Sequence, residues 1–523
     1  MGSLDTNPNG LHLPPTAIKA DEDDDVFRPL NPDDVRSYLH KAVDFIADYL
    51  NSVETLPVLP DVEPGYLRHL LNPTPPPSSA PFDVAMKELK SSVLPGMTHW
   101  ASPNFFAYFP ATNSAAAIAG DLLASAMNTV GFTWQASPAS TELEALALDW
   151  LAQLLHLPPS FITRGVTGGG GSVILGTTSE AMLVTLVAAR DAALRRTRHG
   201  GGVSVSGAGG LSRLTVYASD QTHATFFKVC HIAGVDTSTS SPPSQNQSTR
   251  STRRSFGASW RQTWTPAWSR STCVPRWAPR RRTPWTPSAP SPTWRVGSAH
   301  GSTSTPPTPA AACVCPEFRH HLDGVERVDS ISMSPHKWLL TCLDCTCLWV
   351  RDTCRLTASL ETKPEYLKND ASESGHVTDV KDMQVGVGHR FRGLKLWMVM
   401  RTYGVSKLQQ HIRSDVAMAM AFEQWVMADE RFEVVVKRSF ALVCFRIRAR
   451  GGDMAEEDAD VASRELMARM NMTGKVLVAH TVVGGRFVLR FAVGSSMQEE
   501  RHVRAAWELI KKTTGEILNG QAS

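Results

Sequence analysis

Hydrophobic residues first fall into register after Asn31-Pro32, where Val35, Leu39, Val43, Ile46 and Leu50 recur at helical spacing. That period predicts an amphipathic helix to about Val53, with Asn31 as N-cap and Pro32 in the first turn. Residues 1–30 show no such period and read as disordered. Pro73 to Pro81 is a proline-rich connection. Helical sequence resumes near Thr141 and runs to Leu155. The glycine run Gly168 to Gly171 leads through the apolar Val173-Ile174-Leu175 into Gly176-Thr177-Thr178-Ser179-Glu180, and a helix pattern follows to about Arg196. Val216 to Ala218, Val328 to Met333 and Leu348 to Val350 read as strands. Leu394 to Trp425 is helical with an interruption at Gly404. Phe432 to Val436 and Phe440 to Ile447 read as strands, Val476 to Val493 as a hairpin around Gly484-Gly485, and Val503 to Ile517 as a closing helix. Alternating strands and helices in the middle predict an α/β domain with a mostly parallel sheet, followed by a smaller α+β unit.

Composition fits a folded chain. Of 523 residues, 42% are hydrophobic and 20% charged, which excludes a mainly disordered protein. The most apolar stretch, Ala115 to Met127, is short and carries Asp121, so a membrane-spanning helix is not expected. The acidic run Asp21 to Asp25 and the lack of an apolar signal core argue against secretion. Nine irregularly spaced cysteines fit reduced thiols and a cytoplasmic location.

The net charge of +3 conceals two compositions. From Thr237 to Pro316 there are ten Arg and no Lys, Asp or Glu, while the remainder holds 43 basic and 50 acidic residues. Thr237 to Ala311 also lacks Leu, Ile, Met and Tyr, yet carries six of the 14 Trp and 12 of the 34 Pro. Without aliphatic residues it is not expected to build an α/β core. A solvated linker would not hold six Trp. Ser, Thr, Pro, Arg and Trp enrichment is what a GC-rich coding sequence yields in the wrong frame, and the stretch at about 237–312 is read so. Nucleic-acid binding by these arginines is therefore not expected.

Three short motifs carry chemistry. In Ser334-Pro335-His336-Lys337-Trp338 a lysine follows a strand-like run, where its amine can form a Schiff base with pyridoxal 5′-phosphate. Gly176 to Ala181 is a small-residue turn opening a helix, suited to a phosphate through backbone N–H groups, hydroxyls and the helix dipole. Asp220-Gln221-Thr222-His223 follows a short strand, where a ring can stack on a planar cofactor. Taken singly, each has a plain alternative: a surface lysine, a capped helix, a structural histidine.

In this order the motifs resemble the group II pyridoxal-phosphate-dependent decarboxylases, and most closely the plant aromatic L-amino-acid decarboxylases of the tryptophan type. The resemblance runs over about 26–236 and 313–517. It includes Met97 to Pro110, Gly131-Phe132-Thr133-Trp134, Cys315 to His321 and Arg390 to Trp397. It implies a fold-type I scaffold: an N-terminal helical segment (31–114), a large cofactor domain (115–400) and a small C-terminal α+β domain (401–523). It also implies a homodimer with active sites at the interface. Lys337 would bind the cofactor covalently, with His336 beside cofactor and substrate. Thr178 and Ser179 would hold the phosphate with Ser334 nearby, and His223 would stack on the ring. Tyr108, Pro110, Phe132 and Trp134 would line the aromatic pocket. Tyr366 matches a mobile-loop tyrosine that returns a proton to the substrate α-carbon after CO2 leaves. Related aldehyde synthases carry Phe there. Gly388 stands where tyrosine-preferring relatives tend to have Ser, which favours tryptophan over tyrosine.

The chain departs from the pattern in one stretch. The family's Val-Gly-Thr-Thr segment and its Val-His-Val-Asp-Ala-Ala-Tyr-Ala-Gly strand end, whose Asp pairs with the pyridine nitrogen, are both missing. Gly301 to Ala311 and Val274 to Arg282 are what those segments yield in a shifted frame, lost after Asp236 and restored by Cys313. No carboxylate lies between Asp236 and Glu317. The chain is therefore expected to be inactive or unstable although its coding sequence is of the decarboxylase type. His389 stands where the family commonly has Arg. Cys342, Cys345 and Cys347 with Cys313 and Cys315 could suggest zinc, but they belong to segments that match the decarboxylase pattern, and no metal is expected.

Overall fold

The computed structural model describes residues 27–163, 169–199, 214–217, 224–235, 269–275, 294–298, 309–449 and 455–520. The first periodicity forms helix α1 (Pro32–Ser52), where Asn31 Oδ1 accepts from the Asp33 amide at 3.0 Å and Asp33 and Asp34 complement the helix dipole. Short helices α2 (Tyr66–Leu70) and α3 (Phe82–Glu88) flank the proline-rich connection. Helices α4 (Ala115–Met127) and α5 (Pro138–Leu154) follow. No helix among the described residues is long and apolar enough to cross a membrane.

The larger sheet is built from β1 (Gly171–Leu175), β2 (Leu214–Tyr217), β3 (Ser269–Pro275), β4 (Trp294–Ser298), β5 (Ser330–Met333) and β6 (Thr346–Val350), in the order β1-β6-β5-β4-β3-β2. Helix α6 (Thr178–His199) follows β1, α7 (Thr225–Ile232) follows β2, and α8 (Thr353–Leu360) follows β6. Every residue of β1, β5 and β6 is buried. Alternation explains this. Val173, Leu175, Leu348 and Val350 pack against α6 and α8, while Ile174, Cys347 and Trp349 face α5.

Two expectations are corrected here. The sheet is not mostly parallel among the described strands, since only the β4–β5 pair runs parallel. Strand β6 turns back from β5 through the lysine turn and inserts between β5 and β1, antiparallel to both. The arginine-rich window also contributes β3 and β4 to the middle of the sheet. A ladder needs only backbone donors and acceptors, so a shortage of aliphatic side chains does not prevent pairing.

The smaller sheet is antiparallel in the order β7-β8-β10-β9, with β7 (Phe432–Ser439), β8 (Leu442–Ile447), β9 (Ala479–Val483) and β10 (Arg486–Ala492). Helices α9 (Gly393–Ala428), α10 (Glu456–Met472) and α11 (Glu500–Gly520) accompany it. The expected break in α9 falls at Gly404, whose φ of 63° suits glycine alone. Phe491 stacks on Phe106 at 4.1 Å and on Phe422 at 3.9 Å, fully buried. Replacing Phe491 by Ala should cost about 3–5 kcal/mol by loss of apolar contact and cavity formation, read as a lower urea midpoint by far-UV circular dichroism.

Candidate active site

The site begins with the segment after Asn104. Phe106 N–H donates to Leu477 O at 2.9 Å, and Ala492 N–H donates to Phe106 O at 3.0 Å, so the segment is pinned to the smaller sheet. It then reaches the lysine turn. Thr112 N–H and Oγ1 donate to His336 O at 2.8 and 3.2 Å, and Ser114 Oγ donates to Leu340 O at 2.7 Å.

Lys337 lies in the single helical turn Pro335–Trp338 that follows β5. Trp338 anchors this turn by donating Nε1–H to Asp415 Oδ2 at 2.7 Å, and burial raises the Asp415 carboxyl above its usual range. Gly494, at φ +151°, lets the chain pass close to the indole; a Cβ there would sit 3.3 Å from Trp338 Nε1. Burial alone draws the Lys337 ammonium down to about 8. A lysine so lowered is partly neutral near physiological pH and can act as a nucleophile. Lys337 borders a cavity of about 10 Å³ with Pro110, Trp338, Leu442 and Val493, room for one water.

The predicted phosphate residues meet the same turn. Ser334 Oγ lies 3.0 Å from Thr178 Oγ1 and 2.9 Å from Thr346 Oγ1, which forms a hydroxyl chain from the α6 N-terminus across β5 to β6. Ser179 Oγ is 3.1 Å from Thr225 Oγ1 on α7. His336 is buried, and burial draws its imidazole down to about 4, against the hydrogen bond to Cys345 O. Its Nδ1 lies 2.7 Å from Cys345 O and 3.1 Å from Cys345 N. With the proton on Nδ1 the ring donates to the carbonyl; with it on Nε2 the ring accepts from the amide. Either tautomer stays on the Cys345 backbone.

The aromatic positions are distributed differently. Pro110 borders Lys337, whereas Tyr108 is exposed at φ 50° and stacks on Trp100 at 5.7 Å. A bridge between Val130 and Arg390, with Gly131 N–H on His389 O at 3.0 Å, sets the Phe132 and Gly388 stretches side by side. Trp134 donates Nε1–H to Glu142 at 2.8 Å and lines a separate cavity of about 310 Å³ with Glu144, His376 and Met383. Tyr366 is 82% exposed. His223 lies outside the described residues.

Several participants were not anticipated. Thr346 completes the hydroxyl chain, and Asp415 holds Trp338. An aspartate on the apolar face of a helix was the available signal for Asp415. His389 is buried between Gln384 Oε1 (2.9 Å) and Glu144 Oε2 (2.8 Å), and Glu144 Oε1 accepts from the Ile174 amide at 2.8 Å. Among the described residues no group of three or more His, Cys, Asp or Glu could hold a metal ion. Burial raises Cys313 to about 12 and Cys315 to about 11, which keeps both as thiols.

The pyridoxal-dependent decarboxylase conserved domain matches residues 64–253 and 310–448. The chain belongs to the pyridoxal-dependent decarboxylase family. The interruption of that match at 254–309 falls inside the arginine-rich window. Tryptophan decarboxylase 1 of Oryza sativa subsp. japonica is 64% identical over 530 residues, covering 99% of this chain and 100% of its own. A crystal structure of Oryza sativa TDC with PLP and tryptamine superposes with a TM-score of 0.80 at 61% identity, covering 94% of this chain and all of that one. A structure of Catharanthus roseus tryptophan decarboxylase in complex with L-tryptophan gives a TM-score of 0.77 at 43% identity, over 94% of this chain and all of that one. The chain thus has the scaffold of the fold-type I pyridoxal-phosphate decarboxylases.

The residues present fit most of a bound pyridoxal phosphate. Lys337 offers a buried amine of lowered basicity, and the Thr178–Ser334 hydroxyls stand at the N-terminus of α6, where a phosphate is favoured. For the ring nitrogen, the stretch in which the resemblance places a pairing carboxylate, 237–316, contains no Asp or Glu.

Proposed function

We propose that this family member is built for decarboxylation of aromatic L-amino acids, converting L-tryptophan to tryptamine and CO2, with L-tyrosine as the alternative substrate. The observation that carries the substrate is the 64% identity, over the whole length, with a tryptophan decarboxylase. Gly388 supports an indole, since it adds no side-chain bulk and a Cβ there would meet only Val130, at 3.9 Å. Pyridoxal phosphate, when bound, supplies an electron sink for the breaking bond between Cα and the carboxylate. Lys337 would hold it covalently, and Thr178, Ser179 and Ser334 would take the phosphate. His336, neutral at physiological pH, would offer a hydrogen bond without charge. His223 is kept as the ring-stacking residue, and Tyr108, Pro110, Phe132 and Trp134 as the substrate pocket. The missing carboxylate makes the second reading a catalytically inactive homologue.

A homodimer belongs to this proposal. Helix α1 buries none of its residues within one chain, although Val35, Tyr38 and Val43 are exposed on it, and Leu122, Leu123, Met127 and Val130 are exposed on and just after α4. Apolar surface of this extent calls for cover, and a second copy would supply it and bring the exposed Tyr366 loop to a neighbouring site. The partition into 31–114, 115–400 and 401–523 and a cytoplasmic location complete the proposal.

The test is amine formation by the full chain from L-tryptophan and L-tyrosine at saturating pyridoxal phosphate. Tryptamine above tyramine, at a rate held low by the missing carboxylate, is the result this reading expects, and decarboxylation of neither by a folded, cofactor-loaded chain would favour the inactive homologue. Replacing Tyr366 by Phe should shift product from amine towards aldehyde in aerated buffer: with the proton-returning hydroxyl gone, dissolved O2 takes the electron pair from the α-carbon and leaves as hydrogen peroxide, and water releases the aldehyde and ammonia. Gas chromatography of both products decides it. An unchanged ratio would remove Tyr366 from the proton step.

A further inference from the structure

Two conspicuous motifs, Arg390 to Trp397 and Cys342 to Cys347, have no part in the function proposed so far, and they meet in space. Asp344 Oδ2 accepts from Arg392 Nε at 3.0 Å and Nη2 at 2.9 Å. Lys395 is fully buried, with its ammonium 3.3 Å from Asp121 Oδ1 and 3.7 Å from Asp344 Oδ1. Burial pushes the Asp344 carboxyl up, but the two cations win and hold it below the usual carboxylate range.

The pair stands between two parts of the candidate site. On one side is Gly176, which opens the phosphate turn; a Cβ there would lie 3.1 Å from Asp344 Oδ2 and 3.7 Å from Arg392 Nη2. On the other is Cys345, the next residue in the chain, whose backbone N–H and C=O hold His336 Nδ1. The connection from Leu339 to Cys345 has no helix or strand of its own. Its position therefore depends on contacts from outside it: Ser114 holds Leu340 O at one end, and Asp344 is gripped at the other. Arg392 and Lys395, both on or beside the first turn of α9, supply that grip through a planar fork and a buried ammonium.

We propose that Asp344, clamped by Arg392 and Lys395, is a positioning residue that fixes the Cys345 backbone under His336 and sets the orientation of that imidazole. It acts on His336 through the 343–345 turn. The proposal rests on the reading of His336 as a neighbour of the cofactor only for its catalytic consequence.

The test uses hydrogen–deuterium exchange on the full chain, following the Cys345 amide and the C2 proton of His336 by mass spectrometry. In Asp344→Ala both should exchange about tenfold faster, the signature of local opening. Arg392→Lys keeps the charge and loses the fork, and should give about a threefold increase. Asp460→Asn perturbs a different ion-pair cluster, around the buried Arg446 of the smaller sheet, and should leave both rates as in the parent. Rates within twofold of the parent in Asp344→Ala and Arg392→Lys would overturn the proposal, as would an equal rise in Asp460→Asn. If Asp344→Ala does not fold, Arg392→Lys decides alone. Titration with pyridoxal phosphate then separates the two readings. About tenfold weaker binding in the variants supports both. Faster exchange with unchanged affinity supports the positioning role and overturns the cofactor role of His336.

Discussion

Exchanging residues 237–312 for the aligned stretch of the rice relative should raise tryptamine formation by about 10²–10³-fold, the scale of removing or restoring one preorganised electrostatic partner. The stretch in this chain holds no Asp or Glu, while the resemblance places there the carboxylate that faces the pyridine nitrogen. A charge-assisted contact of that kind keeps the ring protonated and able to accept electrons. The other groups of the site lie outside the exchanged stretch. Lys337, Thr178 and Ser334 are contacted by residues on either side of it, and the family match resumes at 310. Amine release at saturating pyridoxal phosphate is the measurement, with far-UV circular dichroism to establish that both proteins are folded. Equal rates in parent and chimera would show that the window is not the defect. A folded chimera that releases no amine would sink the proposed decarboxylation itself.

Replacing Lys337 by Ala should abolish covalent attachment of pyridoxal phosphate, read by borohydride reduction and intact mass. In the parent, attachment should accelerate as pH rises and level off above about 8, where the amine is neutral. An exposed lysine would level off near ~10.4. The sign for stability is the reverse of a salt-bridged lysine. The folded-state pKa lies below the unfolded value, so the unfolded chain binds more protons between about 8 and the ordinary lysine value of 10.5, and stability rises with pH across that window. Below it the protonated, buried amine is a constant penalty. Lys337→Met, which keeps the length without the charge, should therefore raise the thermal midpoint at pH 7 and lose that advantage at high pH. Attachment that persists in Lys337→Ala would assign the cofactor to another amine.

Much of the scaffold could be read along the chain because its causes are local. The α1 stripe, the Asn31 cap, the Gly404 break and the Gly484-Gly485 hairpin each follow from periodicity, one side-chain hydrogen bond or a positive φ. The direction of the strands could not be read in this way. Short apolar runs such as Ser330–Met333 and Thr346–Val350 look alike whichever way they pair. Their antiparallel arrangement is set where the lysine turn sends the chain back, so that β6 lies between β5 and β1. The arginine-rich window shows the same limit from the other side. Its composition argued against a core, yet backbone pairing places two of its segments in the middle of the sheet.

At the site, the chemical parts were legible along the chain: the lysine after its strand, the hydroxyls at a helix start, and the absence of a carboxylate from 237 to 316. These are properties of residue types in order, and no folding is needed to see them. How the parts are held came from the fold. Trp338 rests on Asp415, 77 residues away, and Thr178 reaches Ser334 across 156 residues. Arg392 and Lys395 close on Asp344 beneath His336. Such contacts are long-range pairings between groups that must lose water together, and burial rather than spacing makes them. The same burial turns Lys337 from an ordinary ammonium into an amine that titrates near 8.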